Sequence, residues 1–238
     1  MRRAVATATI ALAAALPSPA SAERVQVGRS AEGRAIVASR LGDPNAERKA
    51  LVVGSIHGDE RGGLTVTREL RRAWASRLRG VDLWVIDTVN PDGLRRGARQ
   101  NARRVDLNRN FPYRWRMNGR RGSRYWGGPK PLSEPESRAI RKLVLRLRPA
   151  VTIWYHQPWN VVLACGGGAS TAIPRRYARL AAMGTSCRGR GLTGTATSWQ
   201  NNVVGGGTAF VVELAGGAVS ATSARRHARA AAIVAAAR

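Results

Sequence analysis

Lysine is nearly absent from this sequence of 238 residues, which has only Lys49, Lys130 and Lys142 among its 40 basic residues. Acidic residues are also few, and the formal net charge is +26. Such an excess of positive charge is typical of nucleic-acid-binding proteins. Here the arginines are spread along the whole chain without a separate basic tail, and alanine is similarly abundant. A general compositional bias explains the charge, so we expect no specific nucleic-acid partner, although anionic surroundings such as cell-wall polymers are favoured.

Long apolar runs are absent after the first 22 residues, so we expect no transmembrane segment in the mature chain. The first residues differ: two arginines precede an apolar run over residues 4–16. Small residues follow, and Ala20 and Ala22 form an A-x-A site. This order predicts a signal peptide over residues 1–22, cleaved after Ala22, and a secreted or periplasmic protein. The remaining residues, 23–238, are enough for a single domain.

Cysteine is almost missing too, with Cys165 and Cys187 as the only two. In an exported protein, an even pair of cysteines is typical of a disulfide. Two separate buried thiols are the alternative. The sequence therefore predicts a possible disulfide between these two residues.

Short apolar runs alternate with amphipathic segments along the chain. The predicted strands cover residues 25–27, 35–39, 50–55, 82–87, 151–155 and 209–214, and the predicted helices cover residues 61–78, 133–147 and 218–238. The first two strands form a hairpin. In the second helix, Ser133 is the expected N-cap, and Glu136 completes a capping box. Strands that alternate with helices indicate an α/β sandwich with a largely parallel central sheet.

Histidine occurs only three times, at positions 57, 156 and 227. His57 and Glu60 lie three residues apart where a strand ends, and His156 ends another strand. In a parallel sheet the carboxyl ends of the strands lie at one edge, where ligands bind. These three side chains can therefore converge there. Two histidines and one glutamate leave the fourth zinc position open, which is typical of a catalytic site. Zinc is inferred from ligand type, because this set also binds other divalent ions. We expect His227, in an arginine- and alanine-rich segment, to lie on the surface.

Glu213 lies near the end of an apolar strand, just before Ala215-Gly-Gly217. Burial of an ionised carboxylate is costly, so a glutamate in this context needs a partner or a function. An ion pair with one of the many arginines is one explanation. The other is a general base that takes a proton from water. The residues alone leave both interpretations open.

Seven short motifs occur in one order and cover about residues 50 to 217. They are His57-Gly-Asp-Glu60, Asn90-Pro-Asp-Gly93, Arg99-Gln-Asn-Ala102, Val105-Asp-Leu-Asn-Arg-Asn-Phe-Pro112, Pro131-Leu-Ser-Glu-Pro-Glu-Ser137, His156-Gln-Pro158 and Val212-Glu-Leu214. Together they resemble the zinc carboxypeptidase family of metallopeptidases (M14, funnelin-like). Within that family they are most similar to bacterial murein peptide amidase A-like proteins. The resemblance implies a three-layer sandwich with a mixed, largely parallel central sheet, and one Zn²⁺ ion.

The resemblance also implies a role for each matching residue around the metal. His57, Glu60 and His156 correspond to the zinc ligands. Glu213 corresponds to the general base and acid. Asp106 corresponds to a carboxylate that orients the first zinc histidine.

Three further residues correspond to the substrate-binding groups of the family. Asn108 and Arg109 match the pair that binds the free carboxylate of the substrate, a task suited to the guanidinium fork. Arg99 matches the arginine that polarises the scissile carbonyl and stabilises its oxyanion. For any one arginine in so basic a chain, a solvated surface charge is the alternative, and only the motif order argues against it.

Two departures from the family pattern bear on the site. Arg104 stands where glycine commonly precedes the Val-Asp-Leu-Asn-Arg motif, so the local backbone is expected to differ. No tyrosine lies between Tyr177 and Glu213, so the mobile tyrosine lid of digestive carboxypeptidases is missing. The missing lid argues against a standard carboxypeptidase substrate.

The expected activity is zinc-dependent hydrolysis of an amide bond near a free carboxylate. Resemblance and export together favour the γ-D-glutamyl–diaminopimelate bond of murein peptides. A general metallocarboxypeptidase and a zinc N-acyl amino acid deacylase are alternatives, and the His-Gln-Pro and Ser-Glu-Pro-Glu-Ser motifs argue against the deacylase. From a different class, a catalytically inactive module that binds anionic wall polymer is a further alternative, although the ligand set and base are complete.

Overall fold

The computed structural model describes residues 22–164, 170–188 and 191–237. Almost all of the predicted signal peptide, residues 1–21, lies outside the described residues, and so does Cys165. The signal peptide, its cleavage site and the disulfide to Cys187 therefore stay predictions. Within the described ranges, no helix has both the length and the apolar character needed to cross a membrane.

Eight strands and six α-helices form the described part of the chain. The strands are β1 (Glu23–Arg29), β2 (Ala35–Gly42), β3 (Lys49–Val53), β4 (Asp82–Ile86), β5 (Val151–His156), β6 (Trp159–Leu163), β7 (Gly184–Ser186) and β8 (Thr208–Ala215). The helices are α1 (Gly62–Trp74), α2 (Pro91–Arg96), α3 (Pro135–Leu147), α4 (Ala172–Ala181), α5 (Ala196–Trp199) and α6 (Ala221–Ala236). A 3₁₀ turn covers Leu107–Arg109, and a π-helical turn, Gln200–Val204, follows α5.

All eight strands belong to one sheet, in the order β1-β2-β4-β3-β5-β8-β6-β7. The four central strands β4, β3, β5 and β8 are mutually parallel. Strands β1 and β2 continue the sheet antiparallel on one side, and β6 pairs antiparallel with β8 on the other. The predicted mixed, largely parallel central sheet is confirmed.

Helices cover both faces of this sheet because its central strands are apolar on both faces. In β3, Ala50 and Val52 pack in a core with side chains of α1, α4 and α6. The alternate residues Leu51 and Val53 pack in a second core with side chains of α3 and α5. The period-2 alternation of side chains along a strand thus divides the apolar residues between two cores and gives three layers.

The start of α3 differs from the predicted capping box. The N-cap residue is Glu134, without a side-chain capping hydrogen bond. Ser133 Oγ donates to Glu134 Oε1 at 2.8 Å, and Glu136 accepts a hydrogen bond from the backbone N–H of Ala31 at 2.9 Å. The predicted capping box is therefore wrong, because Glu136 accepts hydrogen bonds from residues that are far away in the sequence.

His227 is buried, so its expected surface position is wrong. It lies on α6 between Ala224 and Ala231, on the helical face that packs against the sheet. Its Nδ1 atom is 2.8 Å from the hydroxyl oxygen of Tyr177. Alanines at helical spacing form the apolar face of α6. The arginines next to His227 in the sequence make this pattern hard to recognise.

Candidate metal centre

The carboxyl ends of three parallel strands bring together the predicted metal ligands and the predicted base. His57 and Glu60 lie in the connection between β3 and α1, and His156 is the last residue of β5. Glu213, in β8, is the register partner of His156. Parallel strands place their carboxyl ends at one edge of the sheet, so residues 57, 60, 156 and 213 meet there.

Glu60 lies between the two histidines. Its Oε1 is 2.9 Å from Nδ1 of His57, and its Oε2 is 2.7 Å from Nδ1 of His156. The candidate ligand atoms of the three residues all lie within 4.8 Å of one another. Three ligands at about 2.1 Å from one zinc ion are about 3.4 Å apart in a tetrahedral site. The two imidazole nitrogens and the carboxylate therefore fit a single zinc ion.

Asp106 fixes the orientation of the His57 ring. The Nε2 atom of His57 is 3.0 Å from Asp106 Oδ1, and the Asp106 side chain is fully buried. Burial raises the pKa of Asp106, but His57 and Arg99 outweigh burial and lower it below its ordinary value. An ionised carboxylate only accepts hydrogen bonds, so the proton of the imidazole is on Nε2 and Nδ1 carries a lone pair. That lone pair is available to a metal ion.

Charge favours an ionised Glu60 at the centre of the cluster. Burial raises its pKa, but His156 and His57 outweigh burial and hold it well below its usual range. Burial lowers the pKa of His57, and the carboxylates of Asp106 and Glu60 reverse the effect and raise it. The cluster therefore combines an anionic ligand with two imidazoles, as a divalent cation requires.

Glu213 has an oxygen without a hydrogen-bond partner. Its Oε2 atom is buried and makes no hydrogen bond with the described residues, and none of their ion pairs includes this carboxylate. Burial raises the pKa of Glu213, His156 opposes this and Glu60 adds to it. A hydrogen bond from the backbone of Trp159 is its other stabilising contact. No arginine in the described ranges pairs with Glu213, and its buried Oε2 is left without a hydrogen-bond donor from them.

Arg99 borders the metal ligands. Its Nη1 donates to Glu60 Oε1 at 3.1 Å, and its Nη2 donates to Asp106 Oδ2 at 3.0 Å. Burial lowers the pKa of Arg99, and the carboxylates of Asp106 and Glu60 reverse this and raise it. The structure therefore places a permanent positive charge beside the ligand cluster, as the sequence predicted for an oxyanion-stabilising group.

Asn108 and Arg109 lie next to the ligand cluster. The Nδ2 atom of Asn108 is 3.4 Å from Nε2 of His156, and its Oδ1 accepts from the backbone N–H of Ala196 at 3.0 Å. Arg109 Nη1 donates to the Asn108 carbonyl at 2.7 Å. Arg109 is only 7% exposed and has no carboxylate partner among the described residues. Burial lowers the pKa of Arg109, the Asp106 carboxylate opposes this, and nearby Arg99 adds to the lowering. The remaining guanidinium donors are left for an anionic group.

One aromatic residue of the site is missing from the sequence-based prediction. Tyr125 lies in the long loop before α3, with its ring near the guanidinium groups of Arg99 and Arg109. Neither periodicity nor any of the seven motifs distinguishes this tyrosine from its neighbours in the loop. Its place in the site depends on tertiary contacts.

Arg104 adopts a backbone conformation that suits glycine. Arg104 has φ = 61°, the left-handed conformation that glycine adopts most easily. Its N–H donates to the Asn101 carbonyl at 3.0 Å, which closes the turn before Val105. The arginine thus has a conformation that glycine would adopt at lower cost, so nothing in this turn requires a backbone different from that of a glycine.

A cavity of about 610 Å³ lies elsewhere in the molecule, at the amino ends of β5 and β8. Arg48, Arg176 and Thr208 are among its lining residues, and no predicted site residue lines it. The opposite edge of the sheet holds the candidate metal centre. The cavity is therefore separate from the predicted chemistry.

Comparison with known proteins agrees with this arrangement. The model of the zinc carboxypeptidase family matches residues 10–227. The chain belongs to the zinc carboxypeptidase family.

Murein peptide amidase A of Escherichia coli (strain K12) is 37% identical over 134 residues, which are 51% of this chain and 53% of that protein. That of Vibrio campbellii is 31% identical over 121 residues, 46% of this chain and 48% of that protein. The chain thus spans about half the length of these curated relatives.

Solved structures of the family have the same fold. The murein-tripeptide amidase from Escherichia coli O157 superposes with a TM-score of 0.71 and 26% identity, over 90% of this chain and 92% of that chain. Carboxypeptidase A from Helicoverpa armigera gives a TM-score of 0.75 at 21% identity, over 92% of this chain and 69% of that chain, which shows the fold alone.

Membership in the zinc carboxypeptidase family confirms two of the predictions, zinc as the metal and a metallopeptidase as the class of enzyme. The structure confirms that residues 57, 60 and 156 form one cluster. The individual roles of Glu213, Arg99, Asn108 and Arg109 stay predictions, which the geometry supports.

Proposed function

We propose that this protein is a secreted zinc-dependent amidase that hydrolyses an amide bond next to a free carboxylate. Its preferred substrate is the γ-D-glutamyl–diaminopimelate bond of murein peptides. The observation that carries the proposal is the position of Asn108, which lies 3.4 Å from the ligand His156 and accepts from the buried Arg109 at 2.7 Å. One residue thus connects the metal cluster to a cation that has no carboxylate partner in the described structure.

Zinc bound by His57, Glu60 and His156 would supply a Lewis acid for the attacking water and the scissile carbonyl. Glu213 Oε2 is free to accept a proton from the attacking water. The same carboxyl group then returns that proton to the leaving nitrogen, which completes general base and general acid catalysis by one residue. Its burial favours the protonated form after the first transfer.

The arginines have separate tasks in this proposal. Arg109 binds the substrate carboxylate through its guanidinium fork, assisted by Asn108. Arg99 stays ionised between Glu60 and Asp106, so its charge is fixed before the substrate arrives. A fixed charge stabilises a developing oxyanion at no reorganisation cost.

The names of relatives, the predicted signal peptide and the lack of a tyrosine lid support a murein peptide as the substrate. Two curated relatives and a solved structural relative carry the name murein peptide or murein-tripeptide amidase. The predicted signal peptide would deliver the protein to the compartment that contains murein. The tyrosine lid of digestive carboxypeptidases is missing from residues 178–212. The high positive charge would further favour association with anionic wall polymers.

The proposal is tested by hydrolysis of L-Ala-γ-D-Glu-diaminopimelate with the purified protein, with and without a metal chelator. Chelator-sensitive release of diaminopimelate is expected, and Glu213→Gln should abolish it because the amide cannot accept the proton. Reconstitution with zinc should restore the wild-type rate and leave the variant inactive.

The same assay separates the nearest alternative. A set of ordinary dipeptides and tripeptides with different C-terminal residues is hydrolysed in parallel. If the murein tripeptide stays intact while ordinary C-terminal residues are released, the protein is a general metallocarboxypeptidase and the proposed substrate is wrong. Salt-sensitive binding to wall polymer without any turnover would contradict the enzymatic proposal altogether.

A further inference from the structure

Tyr125 is surrounded by arginines at the edge of the candidate site. The centroid of its ring is 5.4 Å from the guanidinium carbon of Arg99 and 5.5 Å from that of Arg109. Arg124 is at 5.7 Å. The residue is 49% exposed, and its hydroxyl makes no hydrogen bond with the described residues. A single half-exposed ring therefore contacts both arginines to which the proposed function assigns a task.

The backbone on the C-terminal side of Tyr125 is tied to the loop that carries the site residues. The Asp106 N–H donates to the Trp126 carbonyl at 2.8 Å, and Asn110 Nδ2 donates to the Gly127 carbonyl at 2.7 Å. Both donors lie within four residues of Arg109. The backbone that carries the ring is thus anchored beside that arginine.

Arg109 needs a neighbour that attracts its charge without using its hydrogen-bond donors. Burial lowers the pKa of Arg109, the Asp106 carboxylate opposes this without a hydrogen bond to the guanidinium, and the charge of Arg99 adds to the lowering. A carboxylate partner would stabilise the ionised form but would also occupy the guanidinium fork. The face of an aromatic ring attracts a cation through its quadrupole and leaves the N–H groups free. Tyr125 therefore meets a requirement that an acidic residue could not meet at this position.

Arg99 depends on the ring much less. Its guanidinium group is already held by hydrogen bonds to Glu60 and Asp106. The hydrogen bond that holds Arg109 goes to the backbone carbonyl of Asn108. Loss of the ring should thus disturb Arg109 and leave Arg99 in place.

We propose that Tyr125 is a positioning residue that acts through Arg109. Its ring holds the guanidinium group of Arg109 in the orientation that receives the carboxylate of the substrate. The inference rests on the proposed function, because it requires a substrate with a free carboxylate. It predicts an effect on substrate binding and none on the chemical step, since Arg99 and the metal ligands are held by other contacts.

The first test compares Tyr125→Leu with Tyr125→Phe in the hydrolysis of L-Ala-γ-D-Glu-diaminopimelate. Tyr125→Leu should raise KM about 5- to 30-fold, with kcat within about twofold of wild type. Tyr125→Phe keeps the ring face and should restore the wild-type KM. Arg124→Gln is the matched control, because it removes the third arginine that lies near the Tyr125 ring and leaves the contact between Tyr125 and Arg109. It should leave KM unchanged.

A double-mutant cycle shows whether the effect passes through Arg109. In an Arg109→Gln background, Tyr125→Leu should cause no further rise in KM, because the guanidinium that the ring positions is gone. An equal rise in both backgrounds would overturn the proposal. A fall in kcat at unchanged KM would overturn it as well, because the ring would then act on Arg99 or on the metal ligands.

A binding measurement separates this inference from the proposed activity. N-acetylglycine and its carboxamide are titrated into the zinc-loaded protein, and binding is followed by NMR. The carboxylate should bind about 5- to 30-fold more weakly to Tyr125→Leu than to Tyr125→Phe, and the carboxamide should show no such difference. If this pattern holds while the murein tripeptide is not hydrolysed, the proposed substrate is wrong and the role of Tyr125 stands. If the tripeptide is hydrolysed and carboxylate binding is equal in the two variants, the role of Tyr125 is refuted.

Discussion

Asp106 Oδ1 accepts a hydrogen bond from Nε2 of His57 at 3.0 Å, and this contact sets which imidazole nitrogen faces the metal position. The same carboxylate accepts from the Asn108 backbone N–H at 3.0 Å and from Arg99 Nη2 at 3.0 Å. One fully buried side chain thus orients a metal ligand, an arginine and the turn that leads to Arg109. His57, Arg99 and the turn before Arg109 belong to three different motifs, and all three depend on this carboxylate.

Replacement of Asp106 by asparagine should weaken zinc binding by about 10- to 100-fold. The amide can accept from only one oxygen, so His57 and Arg99 cannot both keep their partner. Zinc affinity is measured by competition with a chromophoric chelator. Asp87→Asn is the control, because Asp87 is a half-exposed carboxylate paired with Arg71 and should leave zinc affinity unchanged. Equal affinity in Asp106→Asn and wild type would contradict the role of Asp106.

Arg109→Gln should lower kcat/KM for a murein tripeptide by about 100-fold, which corresponds to about 3 kcal/mol for a charged hydrogen-bond pair. The loss should fall on KM, since Arg109 binds the carboxylate in the ground state and in the transition state alike. A substrate with its terminal carboxylate converted to an amide provides the comparison. Wild type and variant should hydrolyse this amide at similar, low rates. If the variant loses activity equally on both substrates, Arg109 does not bind the carboxylate.

Much of the fold and the site follows from local sequence. The central strands are short apolar runs. The side chains of residues 57, 60, 156 and 213 lie at or just after the carboxyl ends of those runs, so parallel pairing of the strands brings them together. The edge of the sheet could not be predicted. Strand β6 is a mostly apolar run of only five residues with a largely exposed first half, and β7 has three residues without an apolar pattern. Strand β6 pairs with the free edge of β8, and β7 then pairs with β6.

The errors share one physical cause, a tertiary contact that replaces a local one. Glu136 fits a capping box locally, but it accepts from Ala31 and from Asn101 instead. His227 is flanked by arginines in sequence, but helical geometry turns it toward Tyr177. Tyr125 has no local signal because its importance comes from arginines in other parts of the loop. Such contacts depend on the assembled fold and have no sequence period.

Arg104→Gly should raise the free energy of unfolding by about 0.5 to 1 kcal/mol. The left-handed backbone costs a non-glycine residue about 1 to 2 kcal/mol, and the extra freedom of glycine in the unfolded chain offsets part of the gain. Arg104 is exposed, so little packing is lost. Urea unfolding at neutral pH measures the difference.

Arg103→Gly is the matched control for Arg104. It is an exposed arginine one residue away, and it is not among the described residues with positive φ. The free energy of unfolding of this variant should fall by about 0.5 to 1 kcal/mol, because the unfolded chain gains freedom and the contact of Arg103 Nη1 with Glu134 Oε2 at 3.8 Å, half-exposed and weak, is lost. Destabilisation of similar size in both variants would show that the positive φ at position 104 is not strained.

The buried His227 makes stability depend on pH. Burial, and then the charge of Arg226, lower the pKa of His227 to about 4 from an ordinary value of 6.5. The unfolded chain therefore takes up the proton first as the pH falls. His227 contributes its full stability above about pH 6.5 and loses it progressively down to about pH 4. The total loss is up to about 3 kcal/mol.

His227→Phe keeps a buried ring at the same place but does not titrate. Urea unfolding of wild type and variant is measured in excess chelator at several values between about pH 7.5 and about pH 4.5, so that metal binding adds no pH dependence of its own. Phenylalanine removes the hydrogen bond between His227 Nδ1 and the Tyr177 hydroxyl, which keeps its hydrogen bond with Tyr155. The variant should therefore be less stable than wild type at neutral pH. As the pH falls, wild type should lose stability faster, and the difference between the two proteins should shrink by about 2 to 3 kcal/mol. Carboxylates that titrate in the same window act equally in both proteins and cancel. A difference that stays constant across the pH range would mean that His227 takes up its proton equally well in the folded and unfolded chain.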